Sequence, residues 1–235
     1  MGLPSRGSIS ERGTHDGLAY ELRLPASDPP WPGMVVVHGA GSRKENHADF
    51  ARLAAGSGWA ALSYDQRGHG KSEGEMGPQA IGDAAAMARL LASQEGVDPG
   101  RVCARGSSMG GFVAIHATAV SEALAGVIAI CPAGERMLLR GLRAGRLEMR
   151  ADIVALEPWL EEHDLRDAVE LIGAKPLILL HAGGDDRIPA DWSAELYEHA
   201  AEPRKLIIAP GGHHRSVQHD AELQGVALRW LERNL

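Results

Sequence analysis

A serine flanked by glycines, at the point where a strand gives way to a helix, limits what this chain can become more than any other stretch. Val102-Cys103-Ala104 has strand character, Gly106-Ser107-Ser108-Met109-Gly110 follows at once, and Phe112 to Ala119 continues as an Ala-rich helical pattern. A nucleophile held on so sharp a turn needs glycine two residues before and after it, because side chains there would run into neighbouring backbone. Ser108 is therefore the candidate nucleophile. Ser107, one residue away, points in another direction and is the weaker candidate. Taken alone, the pattern also reads as a plain tight turn in a glycine-rich chain, so its neighbours along the sequence must decide.

Those neighbours alternate between strand and helix. The segments around Ser8 to Ser10 and Leu18 to Leu24 read as two antiparallel edge strands, and Pro25 to Pro32 ends the pattern. Met34 to Val37 is a short continuous apolar run, as expected for a strand covered on both faces, and Ala60 to Asp65 is another. Helices are expected at about Asn46–Ala55, Gln79–Ser93, Asp191–Ala200 and Ala221–Leu235, and further strands at about Ala125–Ile130, Pro176–His181 and Lys205–Ala209. The alternation implies an α/β fold with a mostly parallel, doubly wound sheet of about eight strands, its loops at the carboxyl edge available for chemistry.

Composition limits the partners. With 235 residues and 44% hydrophobic content the chain can bury one sizeable core, and a single domain over residues 1–235 is expected. Lysine and arginine number 24 against 31 acidic residues, a formal charge of −7, which argues against a nucleic-acid partner. Met1 to Gly13 is polar and glycine-rich, so neither a signal peptide nor a membrane anchor is expected there, and no membrane partner. Cys103 and Cys131 lie in apolar runs and read as buried free thiols, consistent with a cytoplasmic setting.

Four groups fall at the carboxyl ends of expected strands. Beside Ser108 stands His38-Gly39-Ala40-Gly41, a glycine-rich turn able to present unhindered amides; Ala40 and Met109 are assigned as oxyanion donors. The third group is His181-Ala182-Gly183-Gly184-Asp185-Asp186-Arg187-Ile188-Pro189. A serine hydroxyl needs a histidine to take its proton and a carboxylate to orient that histidine. Asp185 is preferred to Asp186 because it follows the strand by the shorter turn and stands four residues before Pro189. The fourth is Pro210 to Ser216, where His214 is preferred to His213 as general base. His213, His214 and His219 lack the spacing of a helical metal motif and no cysteine is near, so neither a metal nor a cofactor is expected. His38, Gly39, Ser107 and Trp159 are candidate substrate contacts.

The order Ser108, Asp185, His214, together with the H-G-x-G turn and Asp65-Gln66-Arg67-Gly68-His69-Gly70-Lys71-Ser72, resembles the α/β-hydrolase superfamily over nearly the whole chain. That resemblance implies the α/β-hydrolase fold. It also implies the acid four residues before Pro189 and, through a P-G-x-x-H ending, the base at His214. Its esterase and serine-aminopeptidase branches imply a serine hydrolase cleaving a small carboxylic ester through an acyl-enzyme, with amide or peptide, lactone and thioester cleavage as enzymatic alternatives. A ligand-binding receptor that keeps the fold is the alternative outside enzymes. Arg105 departs from the pattern: a charge in a central strand is expensive to bury unpaired, so a carboxylate within salt-bridge distance is expected.

Gly134 to Ala174 lies where such proteins insert a small helical cap. Arg136, Arg140, Arg143, Arg146 and Arg150 would share one side of a continuous helix. A solvated face balanced by Glu135, Glu148 and Asp152 is preferred to a basic wall for acidic substrates, partly because Gly141 and Gly145 weaken the helix. Leu156, Trp159 and Leu160 are expected to pack the cap onto the domain.

Overall fold

The computed structural model describes residues 11–235. Strands β1 (Glu11–His15) and β2 (Leu18–Arg23) form a hairpin, closed by Asp16 and Gly17 with φ of 51° and 77°, as a two-residue turn between twisted strands requires. Ser8 to Ser10, expected to carry the first edge strand, lie outside the described residues. The remaining strands are β3 (Trp31–Val37), β4 (Ala60–Tyr64), β5 (Val97–Ser107), β6 (Val127–Ile130), β7 (Leu177–Ala182) and β8 (Arg204–Ala209). They assemble in the order β1-β2-β4-β3-β5-β6-β7-β8; β2 pairs antiparallel to β4, and every pairing from β4 to β8 is parallel. This is the mostly parallel eight-stranded sheet that the alternation implied.

The two-residue period of the strands divides the core. Met34, Val36, Cys103, Ile128 and Ile178 face one layer, where α1 (Ala48–Gly56) and α8 (Ala221–Glu232) bring Phe50, Ala54, Leu228 and Leu231. Val35, Val37, Ala104, Val127 and Leu179 face the other, covered by α2 (Ala80–Ala92) and α3 (Met109–Val120). Cys103 and Cys131 are both buried and unpaired with each other. None of the helices among the described residues is long and apolar enough to cross a membrane.

Between β6 and β7 the chain forms α4 (Glu135–Arg143), α5 (Ile153–Glu161) and α6 (Leu165–Ile172); α7 (Ala190–His199) follows β7. The continuous arginine-bearing helix is not formed. α4 stops at Arg143, Gly145 takes φ 62°, and Asp152 starts a new helix by accepting from the Ala155 amide at 3.1 Å. Arg136 and Arg143 are balanced by carboxylates, Arg136 by Glu135 and Arg143 by Glu157 and Glu161, whereas Arg146 and Arg150 fall in the loop beyond. Leu156 and Leu160 are buried, and Trp159 meets Phe112 of α3 edge-on at 5.8 Å. With Met76, Met109, Leu138, Leu147 and Met149 they enclose a small, wholly apolar cavity that reaches the first residue of α3.

Close approach at the strand-to-helix turn explains its glycines. A Cβ on Gly106 would collide with the Gly110 carbonyl, and one on Gly110 with the Val37 carbonyl. Both obstacles are backbone and cannot swing aside. Gly110→Ala is therefore expected to lower stability by about 1–3 kcal/mol, read as a lower urea midpoint.

Candidate active site

Ser108 joins the last residue of β5 to the first of α3 with φ 54° and ψ −121°, a region non-glycine residues seldom occupy. Its surroundings hold it there. The Ser108 amide donates to Ile130 O at 2.9 Å, and the Ser108 carbonyl accepts from the amides of Gly111 (2.9 Å), Ala133 (3.1 Å) and Phe112 (3.2 Å). Strain kept by so many contacts is characteristic of functional positions. Ser107 remains within β5 and is buried.

The loop after β3 closes on this turn. A Cβ on Gly39 would lie 3.2 Å from Ser108 Cβ and 3.1 Å from the Ser107 carbonyl, so a side chain there would push the loop off the serine. The Ala40 amide in that loop and the Met109 amide at the head of α3 donate to no protein acceptor among the described residues. The helix N-terminus leaves such donors free for a developing anion.

Two histidines brace this loop from behind. His38 Nε2 accepts from the Gln66 amide at 3.0 Å, and its Nδ1–H donates to Gly39 O at 2.8 Å. His69 Nε2 accepts from the Gly41 amide at 3.3 Å, and its Nδ1–H donates to Arg67 O at 3.0 Å. Each ring must be neutral to accept. Burial pulls His38 down to about 4 against the Gly39 carbonyl, and also lowers His69. His38, expected as a substrate contact, is instead fully buried with both ring nitrogens engaged. Asp65 anchors the same region by accepting from Lys44 Nζ (2.7 Å) and from the Lys44 and Lys71 amides (both 2.8 Å).

At the ends of β7 and β8, Asp185 and His214 meet. His214 Nδ1–H donates to Asp185 Oδ2 at 2.7 Å, while Asp185 Oδ1 accepts from the amides of Arg187 (2.9 Å) and Ile188 (3.0 Å). Burial would raise the Asp185 carboxyl, but hydrogen bonds from His181, His214 and these amides outweigh it and hold the group well below the usual carboxylate range. Asp186 is exposed. His213 is also exposed, and its Nδ1 accepts from the Arg215 amide at 3.2 Å within its own loop. No hydrogen bond joins Ser108 to His214 among the described residues. Contacts of this kind are often long in a ligand-free site and tighten around substrate.

His181 completes the apolar run of β7 and, in the sequence, looks like core. It is fully buried, its Nε2–H donates to Ile188 O at 2.9 Å and lies 3.4 Å from Asp185 Oδ2, and its Nδ1 accepts from Ser193 Oγ at 2.7 Å. Cys131, with φ 42°, brings its thiol close to the same two side chains, and burial pushes that thiol up to about 12. A protonated thiol and an imidazole engaged at both nitrogens are poor metal donors, so this trio is better read as support for the carboxylate. Among the described residues no carboxylate lies within salt-bridge distance of Arg105, contrary to expectation; neutral acceptors bond it directly, and the Asp49 carboxylate acts on it only from farther off.

Comparison with known proteins bears on the family and the fold. The family described as serine aminopeptidase, S33, matches residues 29–155. An uncharacterized protein of Mycobacterium tuberculosis, Rv2307c, is 28% identical over 207 residues, covering 84% of this chain and 68% of that protein. The thiohydrolase aneE of Aspergillus aculeatus is 30% identical over 148 residues, covering 60% of this chain and 44% of its own length. Among solved structures, Est1E from Butyrivibrio proteoclasticus superposes with a TM-score of 0.77 at 19% identity, covering 97% of this chain and 99% of its own. The α/β-hydrolase GrgF from Penicillium sp. sh18 gives 0.77 at 21% identity, covering 95% and 97%. Sheet order, strand-to-helix serine and family match together make this chain a member of the serine aminopeptidase S33 family of α/β-hydrolases.

Proposed function

We propose that the protein is a serine hydrolase cleaving small carboxylic esters through an acyl-enzyme. The observation that carries the reading is the 2.7 Å bond between His214 Nδ1 and Asp185, formed at the same carboxyl edge of the sheet as the β5–α3 turn that strains Ser108. Because Asp185 fixes the proton on Nδ1, Nε2 is left with a lone pair to take the proton of Ser108. The Ser108 oxygen then attacks the ester carbonyl carbon, and the negative oxygen formed is received by the amides of Ala40 and Met109. Each such donor contributes on the order of 3 kcal/mol in the transition state. Collapse expels the alcohol, which takes its proton from His214. Water, deprotonated by the same imidazole, then releases the acid and regenerates Ser108. The helices between β6 and β7 act as the cap, with Trp159 and the apolar cavity beside Met109 on the acyl side.

Amide cleavage is the second reading, favoured by the family's aminopeptidase description. An amine leaves less readily than an alkoxide, so the two separate by rate. Matched p-nitrophenyl ester, anilide, lactone and thioester substrates are expected to give the highest kcat/KM for a short-chain ester. A faster anilide or thioester would replace the ester assignment, and no turnover of any class, with tight binding of one, would favour a receptor.

A further inference from the structure

Arg105 stands three residues before Ser108 on β5, fully buried, and its contacts reach the loops on which the proposed hydrolase depends. Its Nη1–H donates to His47 Nδ1 at 2.9 Å, Nη2–H to the Gln218 carbonyl at 2.8 Å and Nε–H to Gln224 Oε1 at 3.2 Å, while the guanidinium lies 4.4 Å from the Phe50 ring centroid. His47 follows the loop that carries Ala40, and its Nε2 is 3.4 Å from Ser42 Oγ in that loop. Gln218 follows the loop that carries His214. Gln224, on α8, donates its Nε2–H to the Val217 carbonyl at 2.9 Å, which ties the same loop a second time.

A buried charge whose direct partners are all neutral, with the Asp49 carboxylate acting only from farther off, is a poor way to gain stability, since an apolar side chain of the same volume would avoid the desolvation cost. What an apolar side chain cannot do is hold three acceptors from three separate elements in fixed directions, as the planar guanidinium does. The nucleophile strand supplies the donor, and the oxyanion loop and the base loop supply acceptors through residues a few positions beyond the reacting groups.

We infer that Arg105 is a positioning residue that locks the Ala40 loop and the His214 loop to the strand bearing Ser108. The inference rests on the hydrolase reading above. Misplacement by about 1 Å costs on the order of 10²-fold in rate, so the effect belongs in kcat and not in substrate binding.

The test is kcat and KM of Arg105→Met and Arg105→Lys on the p-nitrophenyl ester the wild type turns over fastest, with active sites counted by phosphonate titration. Arg105→Met is expected to lose about 10²-fold in kcat per titrated site with KM changed less than about threefold, and Arg105→Lys to recover roughly tenfold of the loss. Gln224→Met covers the case in which Arg105→Met does not fold; it is expected to lose about tenfold in kcat with KM preserved. A near-wild-type kcat per site in Arg105→Met, or in Gln224→Met where only that variant folds, overturns the inference, as does a loss confined to KM. Ser108→Ala, run alongside, separates the two levels. If it is inactive while Arg105→Met matches wild type, only the positioning role falls; if it retains wild-type turnover, the hydrolase reading falls and the positioning role with it.

Discussion

Ser108→Ala is expected to reduce kcat/KM for short p-nitrophenyl esters by 10⁴-fold or more on the order-of-magnitude scale of lost nucleophiles, with the fold and thermal stability little changed. The size follows from the chemistry. Without the hydroxyl there is no acyl-enzyme, and the remaining help comes only from the amide donors and from binding. The small side chain removed is only partly buried, so the packing loss is slight. Ser107→Ala, one residue earlier and within β5, is expected to keep most of the activity. Steady-state kinetics and a thermal melt on the two variants check both halves of the expectation.

Asp185→Asn is expected to cost about 10⁴-fold in kcat, a loss of the size known when a triad carboxylate becomes an amide. The local geometry says why. Asp185 Oδ1 already accepts two backbone amides, from Arg187 and Ile188. The asparagine oxygen will stay on those donors and turn its NH₂ toward His214. The imidazole must then accept at Nδ1 and carry its proton on Nε2, where it can no longer take one from Ser108. His214→Ala should be similarly damaging, whereas His213→Ala should not, because of these two histidines His214 is the one bonded to the carboxylate. An inactive His213→Ala beside an active His214→Ala would reverse the assignment. Because Asp185 is held well below the usual carboxylate range, it remains ionised on the acid side of neutrality. No step from the Asp185 carboxyl is therefore expected in the profile of kcat/KM against pH, measured from pH 4 to 9 in roughly half-unit steps.

Much of this arrangement could be read from the sequence because its determinants are local. Continuous apolar runs such as Met34 to Val37 mark strands covered on both faces. The glycines at 106 and 110 announce the strand-to-helix turn, since only they avoid backbone collisions there. Asp185 could be preferred to Asp186 from the length of the turn, and the two do differ in burial and contacts. The second strand of the first hairpin, expected from Leu18 to Leu24, was legible too, and Asp16-Gly17 before it is a turn signal of the same local kind.

The parts that could not be read depend on distant contacts. His181 looks like core until β7 is placed beneath the Asp185 turn, and His38 looks like a site residue until β4 delivers Gln66 to its ring. Arg105 called for a carboxylate by charge alone, yet His47, Gln218 and Gln224 reach it from 58, 113 and 119 residues away in sequence. The arginine periodicity from 136 to 150 suggested one helix, but the break near Gly145 divides it, and the chain turns back over the β4 loop through the Met76 and Ala151 pairing.

The most direct measurement is the site of covalent labelling by a fluorophosphonate, read by peptide mass spectrometry on the wild type and on His214→Ala. One adduct on Ser108, formed rapidly in the wild type and slowly or not at all without the imidazole, is the predicted result. An adduct on Ser107 or another residue, or labelling of Ser108 at the same rate without His214, would contradict the account.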